Sequence, residues 1–141
     1  MLDLSKCQSI GAALKDALEA FAGEVCLIEA DRDRENHRLT YREFRDRSLP
    51  IAKALQDQGF SSGDRAVIVM TNQSKWLIAA YAVFYSGGVL VPLDYKLTAD
   101  EQWQLVKHSK AKVLITEYPI WRILSASERR GEATEVKTVF V

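Results

Sequence analysis

Arg65-Ala66-Val67-Ile68-Val69-Met70, Lys75 to Ser86 and Val89-Leu90-Val91-Pro92-Leu93 together decide the fold. The first run is β-branched and apolar at successive positions, as in a strand covered on both faces. Thr71 to Ser74 precede a helical stretch whose Leu77, Ile78, Tyr81, Ala82 and Phe84 are largely apolar, so that helix is central to the packing. Thr71, Asn72 and Ser74 read as its caps rather than as ligand donors. Gly87-Gly88 ends the helix, and Val89 to Leu93 forms the next strand, with Pro92 pushing its last residues off the ladder. Strand, helix and strand in this order imply parallel pairing, because the helix returns the chain to the same edge of the sheet.

The pattern continues on both sides. Ile10, Ala13, Leu14, Ala17, Leu18 and Phe21 recur at three- and four-residue steps, predicting a helix over 9–22 that Gly23 ends. Val25 to Ile28 reads as a short strand, and Asp31-Arg32-Asp33-Arg34-Glu35-Asn36 as a solvated hairpin tip leading into Arg38-Leu39. Thr40-Tyr41-Arg42-Glu43 has capping-box spacing, so a helix starts at Tyr41. It carries Phe44, Ile51, Ala54 and Leu55 inward and ends at Gly59, with Pro50 kinking or dividing it. Thr98-Ala99-Asp100-Glu101 repeats the box and opens a helix to Ser109, whose Trp103, Leu105 and Val106 are available for packing. Val113 to Thr116 is a strand, Pro119 to Ser127 a short helix, and Thr138 to Val141 a last strand. The fold class is α/β, an open and mostly parallel sheet flanked by helices, in a single domain over residues 1–141.

Composition agrees and excludes several functions. The 141 residues suit one domain of roughly 150 residues, and 48% hydrophobic with 27% charged residues is the balance of a folded globule. Nineteen basic residues against nineteen acidic ones leave no net charge, so the field that gathers nucleic acid is missing. The longest apolar passage, Leu77 to Leu93, is broken by Ser86-Gly87-Gly88 and falls short of the ~20 residues of a membrane span. Met1 to Lys6 lacks the basic start and apolar run of a secretory signal. Cys7 and Cys26 stand at no zinc-ligand spacing and read as free thiols of a reducing cytosol.

Ligands of open parallel sheets sit beyond the carboxyl ends of the strands, which directs attention to Thr71 to Ser74, Asp94 to Lys96 and Glu117-Tyr118. No Gly-x-Gly-x-x-Gly or P-loop pattern occurs. An independent nucleotide-binding domain therefore lacks its phosphate loop. His37 lies in the charged turn and His108 near a helix end, neither beside a nucleophile in sequence, and both read as surface residues. Trp76, Trp103 and Trp121 read as core. The residues by themselves give a fold, with no catalytic and no metal-ligating residue assigned.

Leu39-Thr40-Tyr41-Arg42-Glu43-Phe44, Gly63-Asp64-Arg65-Ala66-Val67-Ile68 and Ser86-Gly87-Gly88-Val89-Leu90-Val91-Pro92-Leu93-Asp94 resemble, in order, the opening motifs of adenylate-forming enzymes. That superfamily holds the acyl-CoA synthetases and the adenylation domains of peptide synthetases. The likeness continues from Leu97 to Glu101 and from Lys112 to Thr116, spanning residues 39 to 117. It implies a two-step AMP-forming ligase of the kind that serves fatty acid metabolism, in which a carboxylic acid and ATP give an acyl-adenylate and the acyl group then passes to a thiol such as CoA. It also implies that the phosphate loop, the ribose-binding acid, the Mg²⁺ site and a catalytic lysine lie later in the family's chain. On that reading the chain is the first α/β subdomain, inactive and cofactor-free alone, with the rest of a cytoplasmic enzyme as partner and an exposed surface open to self-association.

Lys96 falls where several CoA ligases carry an arginine near a CoA phosphate, and it also follows a strand's carboxyl end. A lysine there is a point charge without the bidentate fork of arginine. Ser74-Lys75 departs from the family's usual small residue, proline and acid, and Pro50 from its continuous helix. The run Val89 to Asp94 is closer to CoA ligases than to the tyrosine-containing peptide-synthetase version. The alternatives are a peptide-synthetase adenylation fragment and a non-catalytic α/β interaction module.

Overall fold

The computed structural model describes residues 5, 7–32, 34–133 and 135–141. Met1 to Leu4, Lys6 and Asp33, which figured in the reading of the N-terminus and of the charged tip, lie outside the described residues.

Strands β3 (Arg65–Val69), β4 (Val89–Pro92), β5 (Val113–Thr116) and β6 (Thr138–Phe140) form one sheet in the order β4-β3-β5-β6, every pair parallel. The connections are α3 (Ser74–Tyr85), α4 (Ala99–Ser109) and α5 (Tyr118–Ala126), the last followed by a 3₁₀ turn at Glu128–Glu132. In the central strand β3, Ala66, Val67, Ile68 and Val69 are each fully buried. Their alternation splits the core into two layers. Ala66 and Ile68 pack under α3 and under Ala52 and Leu55 of α2 (Tyr41–Asp57), whereas Val67 and Val69 pack under Trp103 and Val106 of α4 and Leu124 of α5. Among the described residues no helix is long and apolar enough to cross a membrane.

The N-terminal part leans on the first layer. Helix α1 (Ile10–Ala20) reaches α3 at Gly11, where an added Cβ would collide with the Phe84 carbonyl. Strands β1 (Val25–Asp31) and β2 (Arg34–Thr40) form a separate antiparallel hairpin. Both run further than the charged sequence predicts, and Ala30 pairs with Glu35 and Asp31 with Arg34. This ribbon is solvated along most of its length, so its outer half carries no apolar alternation for sequence reading to find.

Four further expectations are corrected. Pro50 does not divide α2, which runs unbroken to Asp57. The proline faces solvent, and the flanking Ser48, Ala52 and Leu55 are buried, holding both halves in place. Ala54 is only half-buried, and Ala52 takes its place inside. Pro92 stays in the ladder opposite Ile68, and the Leu93 N–H still donates to the Ile68 carbonyl at 3.0 Å. β4 is an edge strand, so a residue without an N–H is accommodated there. Leu77 and Leu105 are 43% and 39% exposed, leaving Trp103 and Val106 as the packing residues of α4.

Candidate functional site

The parallel order brings the carboxyl ends of β3, β4 and β5 to one rim, where Thr71 to Ser74, Leu93 to Lys96 and Glu117-Tyr118 emerge together. Glu117 ties two of these segments. Its carboxylate accepts the Thr71 N–H at 2.9 Å on Oε1 and the Gln73 Nε2–H at 2.8 Å on Oε2, and Gln73 also donates to the Thr71 hydroxyl at 3.0 Å. Burial pushes the Glu117 carboxyl up, but the hydrogen bonds from Thr71 and Gln73, with the Lys75 charge, outweigh it and hold the group below its ordinary value.

The start of α3 is capped from outside its own sequence. Gln73 is the N-cap and its side chain makes no cap hydrogen bond. The Ser74 N–H instead donates to Glu29 Oε1 of β1 at 2.7 Å. That bond, more than the nearby His37 and Lys75 charges, lowers the Glu29 pKa against a small burial penalty. A carboxylate at a helix N-terminus is favoured by both the free N–H groups and the helix dipole. Thr71, Asn72 and Ser74 are therefore not the caps the sequence predicts. A cap from 45 residues away leaves no local signal.

One cleft of about 410 Å³ lies between the β1 ribbon and the start of α3, lined by Leu27, Glu29, Gln73 and Leu77, and two others flank the β3–α3 connection. The larger, about 430 Å³, is walled by Ile51, Met70, Ile78, Ile115 and Phe140, with Lys75 and Glu117 as its charged groups. The other, about 370 Å³, lies between the ends of β3 and β4 and is lined by Asn72, Trp76, Asp94, Tyr95 and Lys96. Lys96 is exposed there, its ammonium 5.9 Å from the Tyr95 ring centroid and its backbone N–H donating to Asp94 Oδ1 at 2.9 Å. Its ammonium is a single-point cation that shares the cleft with the Asp94 carboxylate.

The remaining sequence candidates are scattered. Trp103 is buried and donates its indole N–H to the Leu124 carbonyl at 2.9 Å. Trp76 forms a cleft wall, and Trp121 lies half-buried under the Arg130 guanidinium, 5.0 Å from its centroid. His108 is exposed. His37 is not in the turn but on β2 opposite Glu29, half-buried, with its Nε2 unpartnered. Cys7 and Cys26 are free and half-buried. Among the described residues no three His, Cys, Asp or Glu side chains cluster so as to hold a metal ion.

Residues 14–141 match the AMP-binding enzyme family. The chain belongs to that family. Among its curated relatives, a 2-succinylbenzoate–CoA ligase of Bacillus licheniformis is 32% identical over 106 residues, covering 75% of this chain and 21% of the ligase. A 4-hydroxybutyrate–CoA ligase of Metallosphaera sedula is 34% identical over 82 residues, 58% of this chain and 15% of that protein. Tyrocidine synthase 1 of Brevibacillus parabrevis is 26% identical over 125 residues, 89% of this chain and 11% of the synthase. The chain thus spans about a fifth or less of the length of these relatives. The same fold occurs in the fatty acyl CoA synthetase of Mycobacterium tuberculosis, with a TM-score of 0.81 at 22% identity over 96% of this chain and 26% of that one. For this AMP-binding family member, the parallel sheet flanked by helices agrees with the α/β fold expected from sequence.

Proposed function

We propose that this chain forms the first α/β subdomain of an AMP-forming acyl-CoA ligase, and that it shapes the ligand rim without making or breaking bonds itself. The reaction of such a ligase joins a carboxylic acid to AMP with release of pyrophosphate, which converts a carboxylate oxygen into a good leaving group. The CoA thiol then displaces AMP. The observation that carries the reading is the ordered family match over residues 14–141 on a sheet whose strand ends converge at Thr71, Asp94 and Glu117. Within it, Val69, Pro92 and Thr116 end the strands, Glu117 fixes the β3–α3 connection, and Lys96 offers a cation toward a phosphate of CoA.

Similarity to CoA ligases over three quarters of the chain supports CoA as the acceptor. Similarity to tyrocidine synthase 1 over 89% of it favours a second reading, an adenylation segment that hands its acyl group to a carrier protein. The two are separated by placing the chain at the head of its longer protein and offering CoA and a phosphopantetheinyl carrier after carboxylate activation. Thioester formed on CoA supports the first reading, and thioester formed only on the carrier supports the second. In the same protein Lys96→Ala is expected to raise the CoA KM about tenfold, the worth of one charge-assisted hydrogen bond, while carboxylate-dependent pyrophosphate exchange stays unchanged. An unchanged KM removes Lys96 from the site.

A further inference from the structure

Gln102 is the fourth residue of α4 and is 3% exposed, beside the packing residues Trp103 and Val106. Its side-chain amide serves the turn that leaves β4. Nε2 donates to the Leu97 carbonyl at 2.8 Å and lies 3.4 Å from the Asp94 and Tyr95 carbonyls. An amide carries two such hydrogens, so one meets Leu97 and the other is shared between Asp94 and Tyr95. The turn's own bonds converge on Asp94, whose carbonyl accepts the Leu97 N–H at 3.3 Å and whose Oδ1 accepts the Lys96 N–H at 2.9 Å. The capping box of α4 begins only at Thr98. With Asp94, Tyr95 and Lys96 exposed, the turn has little packing of its own to fix it. The buried amide is its footing.

Stability alone does not call for a glutamine at this position. Its Oε1 is buried without a hydrogen-bond partner, and an unpaired buried acceptor is destabilising. A methionine of similar length would avoid that penalty, whereas the amide supplies donors to the turn that methionine lacks. The cavity that Gln102 shares with Tyr95, Ile120 and Ile123 is about 50 Å³, well under the ~300 Å³ of the smaller ligand pockets. Gln102 therefore acts through the turn and not on a ligand.

We propose that Gln102 is a positioning residue, which holds the 94–97 turn so that Lys96 stays on the cleft between the ends of β3 and β4 and meets a phosphate of CoA there. The inference rests on the acyl-CoA ligase reading and adds to it the group that keeps its CoA-facing cation in place.

The test uses the longer protein that carries this chain at its head. In Gln102→Met, amide hydrogen exchange in the 94–98 segment is expected to quicken about tenfold, the worth of one hydrogen bond, while exchange in β3 and the melting temperature stay close to wild type. The CoA KM is expected to rise about three- to tenfold, and carboxylate-dependent pyrophosphate exchange, which needs no CoA, to keep its rate. Added to Lys96→Ala, Gln102→Met should raise the KM no further, because it acts through that side chain. If Gln102→Met does not fold, Gln102→Glu, of the same size but with a carboxylate facing the three carbonyls, carries the same expectations. Wild-type exchange in the segment, a wild-type CoA KM beside a raised one in Lys96→Ala, or full additivity of the two substitutions overturns the inference and leaves the ligase reading standing. A longer protein that forms no CoA thioester fails the ligase reading itself, and one whose Lys96→Ala variant keeps the wild-type KM removes the group being positioned; either overturns the inference as well.

Discussion

Glu117 at the end of β5 accepts the backbone N–H of Thr71 at the end of β3, across 46 positions of sequence and 2.9 Å of space. The bond crosses the point at which the neighbouring strands release their chains at the carboxyl-end rim of the sheet. With the second oxygen held by Gln73, one carboxylate sets the path of the connection into α3.

Removing that carboxylate should loosen the connection. Glu117→Ala leaves the Thr71 N–H without its partner, and the loss expected is about 1–3 kcal/mol for a hydrogen bond to a charged group. Glu117→Gln keeps one acceptor and should cost less than half of that. Urea unfolding of the two variants against wild type measures both values, and equal stabilities of all three would show that the bond contributes nothing.

The same carboxylate and Glu29 make stability depend on acid. Both are held below their ordinary value of 4.5 in the folded chain. The unfolded state therefore binds protons first as pH falls, and the stabilisation, fully present above about 4.5, is lost as pH drops through the lower folded values. Thermal midpoints between pH 6 and 3 should fall less steeply in a Glu29→Gln, Glu117→Gln double variant than in wild type. Parallel curves would contradict the assignment.

Trp103 separates packing from hydrogen bonding. It is 2% exposed and its N–H meets the Leu124 carbonyl. Trp103→Ala should cost about 3–5 kcal/mol for the cavity and lost apolar burial. Trp103→Phe retains much of the ring and should cost about 1–2 kcal/mol, including the orphaned carbonyl. Denaturant midpoints at constant slope give the two figures.

Gly11 tests how α1 is seated. A methyl group there runs into the Phe84 carbonyl, which is backbone and cannot turn aside. Gly11→Ala should destabilise by about 1–3 kcal/mol through overpacking, although alanine is the better helix former. Gly23→Ala, with open space around it, serves as the control and should be close to neutral in the same thermal unfolding measurement.

Much of this architecture was legible in sequence because its signals are local. Both capping boxes formed as spaced, with the Thr40 and Thr98 backbone N–H groups each 2.8 Å from the glutamate three residues on. The β-branched run of β3 announced a strand covered on both sides, and Gly59 marked the end of α2 by adopting a left-handed backbone with φ of 79°. What sequence did not show depends on distant partners. Glu29 caps α3 only because the hairpin folds against it, and Pro92 keeps its place only because β4 is an edge. Glu117 was placed on the rim by its position after β5, but its hold on Thr71 and Gln73 needed the register of β3 with β5. Leu77 and Leu105 show the converse limit, since an apolar residue in a helix carries no mark of which side remains uncovered.

On the proposed function, these strands and helices shape a rim and leave bond-making to residues outside them. Carboxylate-dependent exchange of labelled pyrophosphate into ATP, measured on the 141-residue chain alone with a panel of carboxylic acids and Mg²⁺, tests it most directly. No exchange above the acid-free blank is the result predicted. Exchange that rises with acid concentration and scales with the amount of chain would contradict it.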